Sequence, residues 1–121
     1  MIRKFTSGAN RNTDDGKLDY EGFNNPLVDL SFAKYMNHHR KLEDGTLRDS
    51  DNWQKGIPRA ELIKSFVRHS QDIKLIIRGY KVMENGKEVT LEEAINGAKF
   101  NLNALQLENL KDTKIVNRNE K

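Results

Sequence analysis

The sequence predicts an all-α fold, a small bundle of about three main helices behind a long N-terminal arm. Three segments carry apolar residues at the spacing of one helix face, the pattern of an amphipathic helix that packs on one side. Each segment is bounded by proline, threonine or glycine, residues that start or stop helices. Stretches rich in glycine, asparagine and aspartate separate the segments, which is typical of loops.

The first helix is predicted over about residues 26–42, in the segment NNPLVDLSFAKYMNHHRKL. Two asparagines precede Pro26, whose fixed φ angle suits the first helical turn. The second helix, about 58–79, begins at Pro58 and ends at Gly79. Its apolar stripe consists of Leu62, Ile63, Phe66, Val67, Ile73, Ile76 and Ile77.

The third helix is predicted over about residues 91–111. Thr90, followed by Glu93 three residues later, has the pattern of a capping box. The apolar positions of this helix are Leu91, Ile95, Ala98, Leu102, Leu105 and Leu110. Before it, Asn85-Gly86 lies between two short strand-like flanks and predicts a small β-hairpin.

Residues 1–24 and 112–121 lie outside the predicted helices. The first stretch has no sustained period and is interpreted as an ordered or semi-ordered arm, and the second as a frayed tail. The loop between the first two helices holds the turn signals Asp44-Gly45 and Lys55-Gly56. The 121 residues are predicted to form one domain, 1–121, whose limited core is completed by homo-oligomerisation.

Composition excludes several classes of function. Cysteine is absent, which excludes disulfides, thiol catalysis and cysteine-bound metal clusters. No apolar run approaches the roughly 20 residues of a membrane span, and the N-terminus lacks the apolar region of a secretion signal. A cytoplasmic protein without membrane contact is therefore expected. Residues 1–58 hold nine basic and nine acidic side chains, so the net charge of +3 arises from the second half of the chain. This mild bias favours a small anionic ligand over nucleic acid, which calls for a clustered basic face.

Helix two carries a polar cluster. Arg68, His69 and Asp72 lie within one helical turn, so their side chains can share one side of the helix. His69 borders the apolar stripe and is either a histidine satisfied inside the bundle or a member of a polar group at the rim of a cavity. Asp72 either pairs with Arg68 at the surface or binds a hard metal ion.

Helix three and the loop before helix two supply further candidates. Glu93 either stabilises a helix N-terminus by its charge or converges with Asp72 on Mg²⁺, an ion that bundles hold through carboxylates of facing helices. Asn101 borders the buried stripe, where its amide needs hydrogen-bond partners. Trp53, the only tryptophan, follows Asn52 in a polar loop. Its indole either packs on the core or lines a site for a flat ligand.

Four blocks of the sequence resemble, in order and spacing, the phage-encoded dATP/dGTP diphosphohydrolase family, which is similar to the all-α MazG-like nucleotide pyrophosphohydrolases. The blocks are SGANRNTDDGKLDYEGFNNPLV, RDSDNWQKGIP, SFVRH and EEAINGAKFNLNAL. The resemblance covers about residues 3–108. It implies a helical, oligomeric enzyme that uses Mg²⁺ to cleave a purine deoxynucleoside triphosphate to the monophosphate and pyrophosphate. The residues that match the blocks' motifs are Arg11, Asp15, Gly16, Lys17, Asn52, Trp53, Gly56, Arg68, His69, Phe100 and Asn101.

The reaction that this resemblance implies gives each candidate a role. Asp72 and Glu93 would hold Mg²⁺, which would offset the charge that develops on the phosphates as water attacks the α-phosphorus. His69 orients a ligand or transfers a proton. The residues expected to bind the nucleotide are Arg11, Lys17, Asn52, Trp53, Arg68 and Asn101. Of these, the basic side chains hold the polyphosphate, the indole stacks on the purine, and one of the two amides reads its edge.

Two other functions stay open. MazG-like enzymes place paired carboxylates at E-x-x-E and E-x-x-D spacing, whereas the pairs here are His69-x-x-Asp72 and Glu93-x-x-Asn96. This smaller set of carboxylates favours a non-catalytic phage protein that binds and sequesters a nucleotide signal, a sponge. The third class is an interaction module that inhibits a host protein through the basic half of the chain.

Overall fold

The structure, a computed structural model, describes residues 2–12 and 16–119. The chain divides into two compact units, one made of Met1–Asn25 with Lys114–Lys121 and the other of Pro26–Thr113. The larger unit contains three α-helices, a short 3-10 helix and a two-stranded ribbon, and the smaller unit contains a second ribbon. The chain is therefore mostly helical, and the two ribbons correct the prediction of an all-α fold.

The three predicted helices are confirmed as α1 (Pro26–His38), α2 (Arg59–Ile77) and α3 (Leu91–Leu110). α1 ends earlier than predicted because the chain reverses direction directly after it, where Lys41 and Leu47 form an isolated β-bridge. Within the described residues, no helix combines the length and the apolar character that crossing a bilayer requires.

The ends of α2 and α3 follow from local hydrogen bonding. Gly79 adopts a φ of +94°, which a residue without a Cβ reaches at little cost. Its N–H donates to Ile76 O and the N–H of Tyr80 donates to Leu75 O, each at 3.0 Å, and these two bonds form a Schellman motif. At the start of α3, Thr90 Oγ1 accepts from the N–H of Glu93 at 3.1 Å, so the predicted N-cap is confirmed.

α2 and α3 run antiparallel and form the most extensive contact between elements. The start of α2 meets the end of α3, where Arg59 Nη2 donates to Glu108 O at 3.2 Å. Further along α2, the His69 ring lies against Gly97 of α3. The core between these helices is small, and Leu62, 2% exposed, is its one large fully buried side chain among the described residues.

The buried face of α3 differs from the predicted one. The sequence placed Ile95, Leu102 and Leu110 on the core face, yet all three are exposed. The buried residues of α3 are Ala94, Asn96, Gly97, Ala98, Asn101 and Ala104. Small side chains on this face allow the backbones of α2 and α3 to approach closely, and this closeness fixes which face of α3 turns inwards.

Two antiparallel ribbons complete the fold. The predicted hairpin is confirmed by β3 (Val82–Glu84) and β4 (Lys87–Val89), joined by a turn in which Asn85 and Gly86 both have positive φ. In the smaller unit, β1 (Ile2–Lys4) pairs with β2 (Asn10–Asn12). No regular element of the arm was predicted from the sequence. These three-residue strands are mainly polar and carry no alternating pattern that could reveal them.

Candidate functional site

A cleft of about 790 Å³ lies in the larger unit, bounded by the end of α1, the loop that follows it, α2, the ribbon strand β3 and α3. All three histidines of the chain and its only tryptophan line this cleft. The side chains that bear on its chemistry are Tyr35, His38, His39, Arg40, Arg48, Asn52, Trp53, Arg68, His69, Glu84, Phe100 and Asn101.

Aromatic rings form one part of the cleft wall. Trp53 stands on the short 3-10 helix Asn52–Lys55 and is half-buried. Its indole meets the ring of Phe100 edge-on, with centroids 6.0 Å apart and planes at 76°. Near the end of α1, the rings of Tyr35 and His39 lie 4.3 Å apart. Trp53 is thus held against α3 and also lines the cleft, so it serves both as packing and as an aromatic wall.

Three arginines line the cleft, and no acidic residue of the described chain pairs with them. Arg40 Nε donates to the carbonyl oxygen of Arg48 at 2.8 Å, and Arg48 Nη1 donates to that of His39 at 3.2 Å. Arg68 Nη2 donates to Ser65 Oγ at 3.3 Å. In the part of the chain that the structure describes, none of the three forms an ion pair with a carboxylate. Their charges therefore remain available to an anion.

Two histidines of the cleft, His39 and His69, favour their neutral form. Burial lowers the pKa of His39, and the neighbouring His38 lowers it further, while the carboxylate of Glu93 opposes both effects. Burial also lowers the pKa of His69, and the adjacent guanidinium of Arg68 adds to this shift. Because neutral imidazoles gain charge on protonation, an anionic ligand in the cleft would draw protons onto them.

The pKa of Tyr35 shows that the carboxylate of Glu93 acts electrostatically on a residue that lines the cleft. Burial raises the pKa of the Tyr35 phenol, and the carboxylate of Glu93 raises it further, against the opposing effect of Arg68. Asp72 acts in the same way on another lining residue, since its carboxylate raises the pKa of His69. Neither Asp72 nor Glu93 lines the cleft itself.

His69 is positioned by the absence of a side chain at Gly97. A Cβ built on Gly97 would lie 2.6 Å from His69 Cε1 and 2.6 Å from Nε2, far inside van der Waals contact. The imidazole therefore occupies the space that any larger residue at position 97 would need. A glycine inside a helix weakens the helix, so Gly97 was the one sequence signal for this contact, and the sequence interpretation did not use it.

The two buried asparagines of α3 differ in how their amides are satisfied. Asn96 Nδ2 donates to Ser31 Oγ at 3.0 Å and to Ser31 O at 3.3 Å, which joins α3 to α1. Asn101 is 4% exposed and lines the cleft, yet its Oδ1 accepts no hydrogen bond. It is the only buried side-chain nitrogen or oxygen in the described part of the chain that has no partner.

The structure brings five of the predicted site residues to one cleft. They are Asn52, Trp53, Arg68, His69 and Asn101. Asp72 and Glu93, the predicted Mg²⁺ ligands, lie outside the lining, and the described residues contain no group of three or more acidic or histidine side chains arranged to hold a metal ion.

The remaining predicted residues belong to the smaller unit. Arg11 lies on β2, and Lys17 is exposed. Asp15 lies outside the described residues.

Several lining residues were not singled out from the sequence. Tyr35, His39, Arg40 and Arg48 lie at the end of α1 and in the loop after it. A run of basic residues at the end of a helix has a simple electrostatic explanation, because it complements the helix dipole. Nothing in the local pattern therefore distinguished these residues from an ordinary solvated helix end.

Comparison with known proteins identifies no relative, since no family model, no curated protein and no solved structure matches this chain.

Proposed function

We propose that the cleft binds a purine nucleotide. The observation that carries this proposal is that the only tryptophan and three arginines that pair with no carboxylate among the described residues line the same cleft. A nucleotide combines a flat ring with a polyanion, and these two groups of side chains match its two parts. Aromatic rings stack on bases, and guanidinium groups bind phosphate oxygens in a fork of parallel hydrogen bonds.

The base and the phosphates of the nucleotide are proposed to bind different parts of the cleft wall. The base lies at Trp53 and Phe100, which form the aromatic part of the wall. The phosphates lie at Arg40, Arg48 and Arg68, whose guanidinium groups retain unused donors. Asn52, next to the indole, is available to the edge of the base.

Titration calorimetry with dATP and dGTP tests binding. Arg68→Ala should weaken both nucleotides roughly tenfold or more, because a hydrogen bond to a charged group contributes about 1.5–3 kcal/mol. Arg78→Ala is the matched control, since Arg78 is exposed at the end of α2 and does not line the cleft. Absence of binding by the unmodified protein, or equal losses in the two variants, would contradict the proposal.

Mg²⁺-dependent hydrolysis of a purine deoxynucleoside triphosphate is the second candidate function. The antiparallel contacts Arg59–Glu108 and His69–Gly97 set a register in which Asp72 and Glu93 stand at about the same height along the helix pair. Each carboxylate also acts electrostatically on residues of the cleft wall. These relations favour a role for both groups near a bound nucleotide.

Asp72 and Glu93 meet only part of what a Mg²⁺ site requires. Mg²⁺ commonly takes one or two protein carboxylates together with substrate phosphates and water, and Asp72 and Glu93 match that number. Neither side chain lines the cleft, however, and the described residues form no larger ligand set. When bound, the ion would neutralise the phosphates. In the chain itself, Arg68 would orient the polyphosphate, and His69 would accept or hold a proton at its imidazole.

Release of pyrophosphate from each dNTP in the presence of Mg²⁺ separates hydrolysis from simple binding. If the protein is an enzyme, Asp72→Asn and Glu93→Gln should each abolish turnover and preserve the fold. Glu92→Gln is the matched control, because this neighbouring carboxylate faces Ser31 of α1, with 3.4 Å between Glu92 Oε2 and Ser31 Oγ. Tight binding without turnover would instead support the sponge, which sequesters its nucleotide.

We also propose that the chain forms a homo-oligomer. Ile63, Val67 and Leu102 are about half exposed although they belong to the two helices that form the core. A second copy that covers such residues would enlarge a core that contains few bulky side chains. Sedimentation at micromolar concentration tests this, and a monomer would contradict it.

A further inference from the structure

Asn101 provides a criterion for which bases the cleft accepts. We infer that Asn101 Oδ1 accepts a hydrogen bond from an exocyclic amino group of the base, so that the cleft selects amino-bearing purines over purines that lack this group. The inference rests on the proposed nucleotide function and concerns the same site. Its basis is the one buried acceptor of the described chain that nothing satisfies.

An unsatisfied buried amide oxygen is unusual in a folded protein. Asn101 is only 4% exposed, so its amide has little access to bulk water. Asn96, five residues earlier and 6% exposed, shows the ordinary solution, because its amide is fixed by two hydrogen bonds to Ser31. The contrast indicates that Asn101 is held ready for a partner that the chain does not contain.

The chemistry of the acceptor limits the ligand group that can satisfy it. A carboxamide oxygen requires an N–H or O–H donor. Phosphate oxygens and the ring nitrogens of an unsubstituted purine accept hydrogen bonds, so they do not meet this need. An exocyclic amine of a base has two N–H donors. Adenine carries one at position 6 and guanine carries one at position 2.

The location of Asn101 points to the base rather than to the phosphates. Asn101 follows Phe100 on α3, and Phe100 holds the indole of Trp53 edge-on. The guanidinium groups of Arg40 and Arg48 come from a different part of the wall, at the end of α1 and in the loop after it. Asn101 therefore shares with the aromatic part of the wall the segment of α3 at Phe100, whereas two of the three arginines reach the cleft from α1 and the loop after it.

A small movement makes the acceptor accessible. Oδ1 is shielded in the chain alone, whereas the residue as a whole lines the cleft. The terminal torsion of an asparagine side chain has a broad energy profile, so the amide can turn towards the cleft at little cost. Oδ1 gives up no hydrogen bond within the described chain when it turns, so the acceptor itself loses no partner.

Two pairs of nucleotides test the inference by calorimetry. dATP is compared with purine 2′-deoxyriboside triphosphate, and dGTP with dITP, because each pair differs only in one exocyclic amino group. In at least one pair, loss of the amine should weaken binding about 5- to 150-fold, the range for leaving a buried acceptor unsatisfied. The pair that responds identifies which amine Asn101 meets.

Variants assign the effect to the amide. In Asn101→Ala, and in Asn101→Leu as a second variant of similar volume, the two members of the responding pair should bind with equal affinity. Asn103→Ala is the matched control, since Asn103 lies two residues further along α3 and does not line the cleft, and it should preserve the difference. Circular dichroism verifies that each variant is folded.

The outcomes separate this inference from the function on which it rests. If the unmodified protein binds none of the four nucleotides, the proposed function fails and the inference fails with it. If all four bind with equal affinity, nucleotide binding stands and the inference is overturned. A difference within a pair that persists in both Asn101 variants also overturns it, because the selectivity then originates elsewhere in the cleft.

Discussion

Replacing Gly97 by alanine should destabilise the protein, although the same change inside a helix ordinarily stabilises one. Alanine is favoured over glycine in a helix interior by about 1 kcal/mol. Here the added Cβ would lie 2.6 Å from two atoms of the His69 ring, so the imidazole must leave its position. Overpacking of this kind costs about 1–3 kcal/mol. The net loss in the free energy of unfolding should therefore lie between zero and about 2 kcal/mol.

Removing the imidazole should reverse the sign of this effect. In a His69→Ala background the space beside position 97 is empty, so Gly97→Ala should raise the free energy of unfolding by about 1 kcal/mol. The four proteins form a double-mutant cycle, and the coupling energy should be about 1–3 kcal/mol. Urea denaturation followed by circular dichroism measures all four values.

A control tests whether His69→Ala changes the cost of glycine in α3 at a position away from the imidazole. Gln106 is exposed on α3, so Gln106→Gly should lower stability by a similar amount with and without His69. If Gly97→Ala instead stabilises both backgrounds equally, the imidazole does not occupy the space beside Gly97, and the reasoning about the contact between α2 and α3 at this point is refuted.

The cleft and the N-cap of α3 lead to three more predictions. Trp53→Ala should weaken binding of dATP roughly 5- to 150-fold, since stacking contributes about 1–3 kcal/mol. Titration calorimetry measures the affinity, and an unchanged value would contradict this prediction. The pKa values of His39 and His69 are lowered in the folded chain. Near pH 6.5, the ordinary pKa of histidine, the unfolded chain therefore binds more protons than the folded chain does. The free energy of unfolding of the ligand-free protein should therefore fall as the pH decreases from about 7.5 through 6.5, while dATP should bind more tightly over the same interval, because phosphates favour the protonated imidazoles. Urea denaturation and titration calorimetry at several pH values measure the two quantities. If stability and affinity changed in the same direction with pH, the roles given to the two histidines would be contradicted. Thr90→Ala should lower the free energy of unfolding by about 1 kcal/mol and Thr90→Ser by much less, as measured in urea, and equal losses would exclude the capping role.

Features encoded by neighbouring residues were predictable from the sequence. The extents of α2 and α3 follow from helical periodicity and from end signals at Pro58, Gly79 and Thr90, each of which acts within a few residues. The Asn85-Gly86 turn is equally local, because both residues must adopt positive φ. Such signals do not depend on how the helices pack.

Features that arise from packing were less accessible. The inward face of α3 depends on close approach at Gly97 and Ala98, whereas an apolar count assigns the interior to Ile95 and Leu102. The cleft combines residues from α1, the loop after it, α2, β3 and α3, so one sequence offers no direct evidence of their proximity. The tryptophan loop stood out because its composition was unusual, but the arginine-bearing loop after α1 resembled any solvated surface.

The bond between Asn96 and Ser31 has a consequence for the order of folding. α2, the β3–β4 ribbon and α3 follow one another along the chain, so their contacts can begin with short loops at the ribbon and extend outwards to Arg59 and Glu108. The amide of Asn96 instead meets a partner 65 residues away, and closing so long a loop lowers the chain entropy before it gains contacts. α1 should dock late, and the cleft wall that it contributes should form after the rate-limiting step. A bound nucleotide would then slow unfolding and leave the refolding rate unchanged.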